Sequence, residues 1–144
     1  MPGGYICTMT TDDRVRLIRS DALAPAPYAY ASIVPKGSRV IHLAGSCPLD
    51  ANGQVSPEFD VAAQAARCLD NLEIALAAAD ATLADVVSTR VLVATISRED
   101  LSAAWRVVAE RFGSHEVPST LVGVTVLGYP GQLVEIEAVA ATRG

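Results

Sequence analysis

Apolar and polar residues alternate at a period of two along residues 132–140 (QLVEIEAVA), the spacing of a pleated strand with one buried face. Val134, Ile136, Ala138 and Ala140 fall on one side and read as core. Leu133, Glu135, Glu137 and Val139 fall on the other, so two carboxylates share a face with no basic residue between them. Residues 85–94 (DVVSTRVLVA) are a β-branched run that predicts a central strand, and residues 119–127 (STLVGVTVL) predict another. The Gly-Tyr-Pro-Gly segment at 128–131 predicts that this strand and the last one pair antiparallel. Residues 14–19 read as a short edge strand with Val15 and Leu17 inward. Residues 28–34 and 39–44, around a Pro-Lys-Gly-Ser turn at 35–38, read as a hairpin.

The period changes to that of a helix after Asp60, a candidate N-cap. Val61, Ala65, Cys68, Leu69, Leu72 and Leu76 make one stripe to about residue 79, with Arg67, Asp70 and Glu73 opposite. Gln64 and Asn71 flank Cys68 at the edge of the stripe, where amides need hydrogen-bond partners and tie a helix to neighbouring loops. Ser97 and Asp100 have the spacing of a capping box. They open a second helix with Leu101, Ala104, Trp105, Val108 and Phe112 on its stripe and Gly113 at its end. The order β, β, β, α, β, α, β, β predicts an α+β domain over residues 14–143, a mixed six-stranded sheet with two helices on one face, preceded by a leader over residues 1–13. No third helix is left to cover the other face. That face is expected to pack on another copy of the chain, placing Glu135 and Glu137 at or near an interface.

Composition narrows the function. A 144-residue chain that is 51% hydrophobic and 19% charged has enough apolar mass for one core. Its net charge is −5, with basic residues scattered from Arg14 to Arg143, which speaks against a nucleic-acid partner. Cys7, Cys47 and Cys68 form no CxxC pair and have no zinc-type His spacing, so reduced thiols in a cytoplasmic protein are expected, with no metal and no cofactor. No apolar run reaches the length of a membrane span. His42, a lone strand histidine, reads as structural and His115 as a solvated loop residue, with an approach to a cleft mouth as its alternative role. Cys47 reads as a loop thiol, a nucleophile only if a base lies nearby. Trp105 reads as core or as a pocket wall.

Pro27-Tyr28-Ala29-Tyr30-Ala31, Ala44-Gly45-Ser46-Cys47-Pro48, Gln64 with Cys68-Leu69-Asp70-Asn71-Leu72, Asp85-Val86-Val87, Pro118 and the final strand together resemble the reactive intermediate deaminase family (RidA/YjgF, also labelled endoribonuclease L-PSP). The resemblance implies a chorismate-mutase-like fold and a homotrimer with a small-molecule cleft at each subunit boundary. It implies Glu135 as the catalytic residue positioning water, Tyr28 as the pocket tyrosine, and Ser46, Cys47, Trp105 and Thr120 at substrate-binding positions. Deaminating members carry an arginine where this chain has Thr120, and often Asn where it has Trp105. A hydroxyl cannot replace the bidentate guanidinium–carboxylate pair, so the resemblance implies weakened 2-imino acid deamination. The expected activity is hydrolysis of an imine, enamine or related neutral metabolite, and the alternative is a non-catalytic, metabolite-binding or regulatory trimer.

Overall fold

The computed structural model describes residues 14–144, and the leader expected over residues 1–13, with Cys7, lies outside the described residues. Six strands and two α-helices follow in the expected order: β1 (Arg16–Ile18), β2 (Ala31–Ile33), β3 (Arg39–His42), α1 (Val61–Ala78), β4 (Val86–Ala94), α2 (Arg98–Phe112), β5 (Ser119–Val124) and β6 (Val134–Thr142). The domain is α+β.

The final strand does what its alternation predicts. Val134, Ile136, Ala138 and Ala140 are buried against the helices, while Glu135, Glu137 and Val139 are half-buried on the opposite face. The α1 stripe supplies the other half of the core, with Ala65, Cys68, Leu69, Leu72 and Leu76 all buried. Asp60 caps α1 by accepting from the Ala63 amide at 2.9 Å. At α2 only half of the expected capping box forms. Ser97 accepts from the Glu99 amide, but Asp100 turns to the Thr95 hydroxyl at 2.6 Å, which itself accepts from the Ser97 amide.

Strand pairing departs from the sequence expectation in two places. The four-stranded sheet has the order β3-β6-β4-β5, and β1 and β2 form a separate antiparallel ribbon. The residues around the 35–38 turn are therefore not a hairpin. The turn exists, with Gly37 at φ 80° and Ser38 bonded back to Pro35, but it carries the chain from the ribbon into the main sheet, where β3 pairs with β6. Likewise β5 and β6 do not pair with each other. The strongly apolar β4 lies between them, antiparallel to β6 and parallel to β5. An α-helical crossover brings a chain back parallel, and α2 is that crossover. β4 buries Val87, Thr89, Val91 and Val93 on its helix-facing side and has a neighbour on each edge. The β1–β2 ribbon is tied to the start of β4 by Ser32, whose hydroxyl donates to the Val87 carbonyl.

The register places Arg90, Leu92 and Ala94 of β4, Thr120 and Val122 of β5, and Glu135, Glu137 and Val139 of β6 on one face. Both helices pack on the other. Among the described residues no helix is long and apolar enough to cross a membrane.

Candidate functional site

The sequence-predicted site residues fall into two groups, one around Glu135 on the open face of the sheet and one at its β5 edge, where Trp105 of α2 comes close to Thr120. The first is built around Glu135. Beyond β3 the chain runs on alongside β6, with the Ser46 amide and carbonyl each bonded to Ile136 at 2.7 and 3.0 Å. This sets Cys47 beside Glu135, and its thiol donates to Glu135 Oε1 at 3.1 Å. Gln132 Nε2 lies 3.5 Å from the same oxygen. Gly45 packs under the carboxyl so closely that a Cβ there would lie 2.7 Å from Glu135 Cδ and Oε2. The Ser46 hydroxyl is committed elsewhere, donating to the Cys68 carbonyl at 2.6 Å, and thus fastens this loop to α1. Asn71 adds a second fastening, donating to the carbonyls of Cys47 and Leu49.

The two carboxylates of β6 have different surroundings. Glu137 meets Arg90 at 3.4 Å, whereas among the described residues Glu135 accepts from a thiol and an amide. Burial, the hydrogen bond to Glu135 and the negative charge of Glu135 together push the Cys47 thiol from 9.0 up to about 11, with Gln132 opposing. Cys47 is therefore a protonated donor at neutral pH, which argues against the nucleophile reading. With Glu135→Gln, two of the three raising causes weaken and burial remains, so the Cys47 midpoint will fall below 11 but stay above 9.0. Alkylation by iodoacetamide at pH 9–10, followed on the Cys47 peptide by mass spectrometry, will be faster in the variant. An unchanged rate would show that Glu135 does not hold the thiol.

The second group is Tyr28, Trp105 and Thr120, which with Pro27, Ser119 and Leu121 line an open cleft of about 480 Å³. Tyr28 meets Trp105 edge to face, with centroids 6.2 Å apart and planes at 88°, and meets Tyr30 at 6.0 Å and 74°. Arg19 holds the loop that carries Tyr28. Its guanidinium donates to the carbonyls of Ala26 and Tyr28 and pairs with Glu116. Trp105 is thus a pocket wall as well as a margin of the core. Behind it lies a smaller pocket of about 90 Å³ that includes His115. His115 is half-buried rather than solvated, and its Nε2 lies 2.8 Å from the Val86 carbonyl. His42 is exposed and lines a hollow with Arg90 and Glu137.

Within one chain the two groups do not meet. Thr120 stands opposite Arg90, and Glu135 opposite Leu92, across β4. At about 4.8 Å between strands and 3.3 Å per residue, Thr120 and Glu135 are roughly 12 Å apart. Sequence reasoning did not single out Arg90, Gln132 or Gly45. An arginine within an otherwise apolar central strand was a readable signal for the first. The other two act through contacts distant in sequence.

A family model described as endoribonuclease L-PSP matches residues 20–142, and the chain belongs to that family, to which the RidA/YjgF proteins also belong. No curated protein sequence matches the chain. Among solved structures, it is 33% identical to YyfB from Yersinia pestis, a protein of unknown function in the conserved Rid family, over 88% of this chain and 98% of that one, with a TM-score of 0.80. It is 35% identical to Rv2704 from Mycobacterium tuberculosis, a member of the YjgF/YER057c/UK114 family, with the same coverages and a TM-score of 0.60. It is 31% identical to the YjgF gene product of E. coli, over 83% and 91% of the two chains, with a TM-score of 0.63.

Proposed function

We propose that the chain is a small-molecule hydrolase acting on imines or enamines, working as a homotrimer whose clefts combine the Tyr28–Trp105–Thr120 wall of one subunit with Glu135 of a neighbour. The observation that carries this is the neutral cradle of Glu135. Its carboxylate is held by a thiol and an amide and meets no cation among the described residues, so it is free to take a proton from water. Water adds to the C=N carbon as Glu135 removes its proton and the nitrogen is protonated. The resulting carbinolamine then loses ammonia to leave a carbonyl, so imine plus water gives ketone or aldehyde plus ammonia. Thr120 and Glu135, roughly 12 Å apart in one chain on a sheet face that neither helix covers, support completion by a second copy.

Subunit mixing tests this reading. Glu135→Gln and Tyr28→Ala are each expected to be inactive toward an imine formed in situ from an amino acid by an oxidase. If each cleft draws its halves from different chains, random equimolar mixing restores both good halves to about one cleft in four. The mixture will then recover about a quarter of wild-type activity at the trimer mass by light scattering. No recovery in verified mixed oligomers would place both groups in one chain's site, and a stable monomer would sink the trimer. A wild-type oligomer without turnover would favour the metabolite-binding alternative.

A further inference from the structure

Arg90 is the one basic residue in β4, and the register aims it at the open face, directly between Thr120 on β5 and Glu137 on β6. It lines two adjoining concavities. One, of about 360 Å³, also holds Tyr28, Tyr30, Ser88 and Thr120. The other, of about 260 Å³, holds His42, Gly45 and Glu137. A guanidinium offers five N–H donors in a planar fork. Among the described residues, the partner of this one is Glu137, at 3.4 Å, well beyond the roughly 2.7–2.9 Å of a good charge-assisted hydrogen bond. In the single chain both side chains are also substantially exposed, at 59% and 40%, so the pair is loosely made and contributes little to that chain's fold. Most of the fork is left for another acceptor.

We propose that Arg90 is the anion-recognition residue of the Tyr28–Thr120 cleft, holding the carboxylate of a small organic acid there, with Glu137 as the resident counter-ion that the ligand displaces. The expectation of a neutral ligand followed from Thr120 taken alone. Thr120 and Arg90 are register partners on adjacent parallel strands, which lie about 4.8 Å apart. A ligand against Tyr28 and Thr120 is therefore within reach of the guanidinium. The carboxylate fits the fork in a bidentate manner, which an amide or ester cannot match. The hydroxyls of Thr120 and Ser88 and the ring of Tyr28 complete a wall that is polar on the Arg90 side and aromatic on the Trp105 side.

This assignment rests on the reading that the Tyr28–Thr120 cleft binds ligand, but not on Glu135 doing chemistry. Its test is equilibrium binding of 2-oxobutanoate and of its neutral amide to the wild-type oligomer, by isothermal titration or by amide chemical shifts. The wild type is expected to bind the acid at least tenfold more tightly than the amide. Arg90→Gln should lose that preference while keeping the wild-type melting temperature, and Arg90→Lys should keep part of it. Glu137→Gln should tighten the acid severalfold by removing the competing carboxylate, leaving the amide unchanged. Equal binding of acid and amide by the wild type, failure of the acid to bind at millimolar concentration, or a preference undiminished in Arg90→Gln would each overturn the assignment. Turnover by Glu135→Gln at the wild-type rate would sink the catalytic reading instead, and would leave an Arg90-dependent preference standing.

Discussion

Gln64→Leu will destabilise the folded chain by about 3–5 kcal/mol, although it replaces a polar side chain in the core with an apolar one of similar volume. Gln64 is fully buried. Its amide nitrogen donates to the carbonyls of Pro57 and Gly131 at 3.0 and 3.1 Å, and its oxygen accepts from the Leu133 amide at 2.7 Å. Leucine satisfies none of these three backbone groups, and each one left unpaired out of reach of water costs about 1–3 kcal/mol, less for the Pro57 and Gly131 carbonyls, which sit on exposed loops. The gain from burying a few more apolar atoms is on the order of 1 kcal/mol and does not offset the loss. Domains of this size are stable by about 5–15 kcal/mol, so denaturant unfolding will show a large drop in midpoint. A change under about 1 kcal/mol would mean that the loops at 57 and 131 rearrange to water without cost. The same substitution reaches the candidate site, because Leu133 leads into β6 and the neighbouring Gln132 contacts Glu135.

That role of Gln64 is legible in the sequence itself. A side-chain amide beside an apolar stripe has no reason to be there unless it ties loops, and Asn71, seven residues on, does the same for the 47–49 segment. Helix α1, its Asp60 cap and the buried face of β6 are legible for a related reason. Each is a local pattern, in which spacing of three and four or of two decides what is buried. Strand partners are not legible, because pairing depends on residues far apart. The 128–131 turn looks like a hairpin connection, and only the pairing of both edges of β4 puts that strand between β5 and β6. The same limit hides the relation between positions 90 and 120. They are 30 residues apart in the chain and adjacent across the sheet, so the sequence shows the missing cation at one but cannot place the cation at the other.

Gly45→Ala will lower turnover about 100-fold with little change in stability, and the reason lies in Glu135. The backbone at Gly45 is outside the left-handed region and accepts alanine, which also restricts the unfolded chain and so favours folding slightly. The added Cβ would stand 2.7 Å from Glu135 Cδ and Oε2 and 3.1 Å from Cγ, so the carboxyl must move. It is the far end of a flexible side chain, and moving it is cheap for the fold. Moving it also breaks the 3.1 Å contact from Cys47 and displaces the proposed proton acceptor by about 1 Å, a shift that costs about 10²-fold in rate. Glu135→Gln, which removes the proposed acid–base group itself, is expected to lose about 10²–10⁴-fold. Because Gly45 acts only through that carboxyl, the double variant will be no slower than Glu135→Gln alone, a coupling expected for two positions in contact. Measured on the in situ imine, full turnover by Gly45→Ala with the carboxyl demonstrably shifted would mean that the position of Glu135 does not matter to the reaction. Additive losses in the double variant would mean that Gly45 serves some part of the cleft other than Glu135.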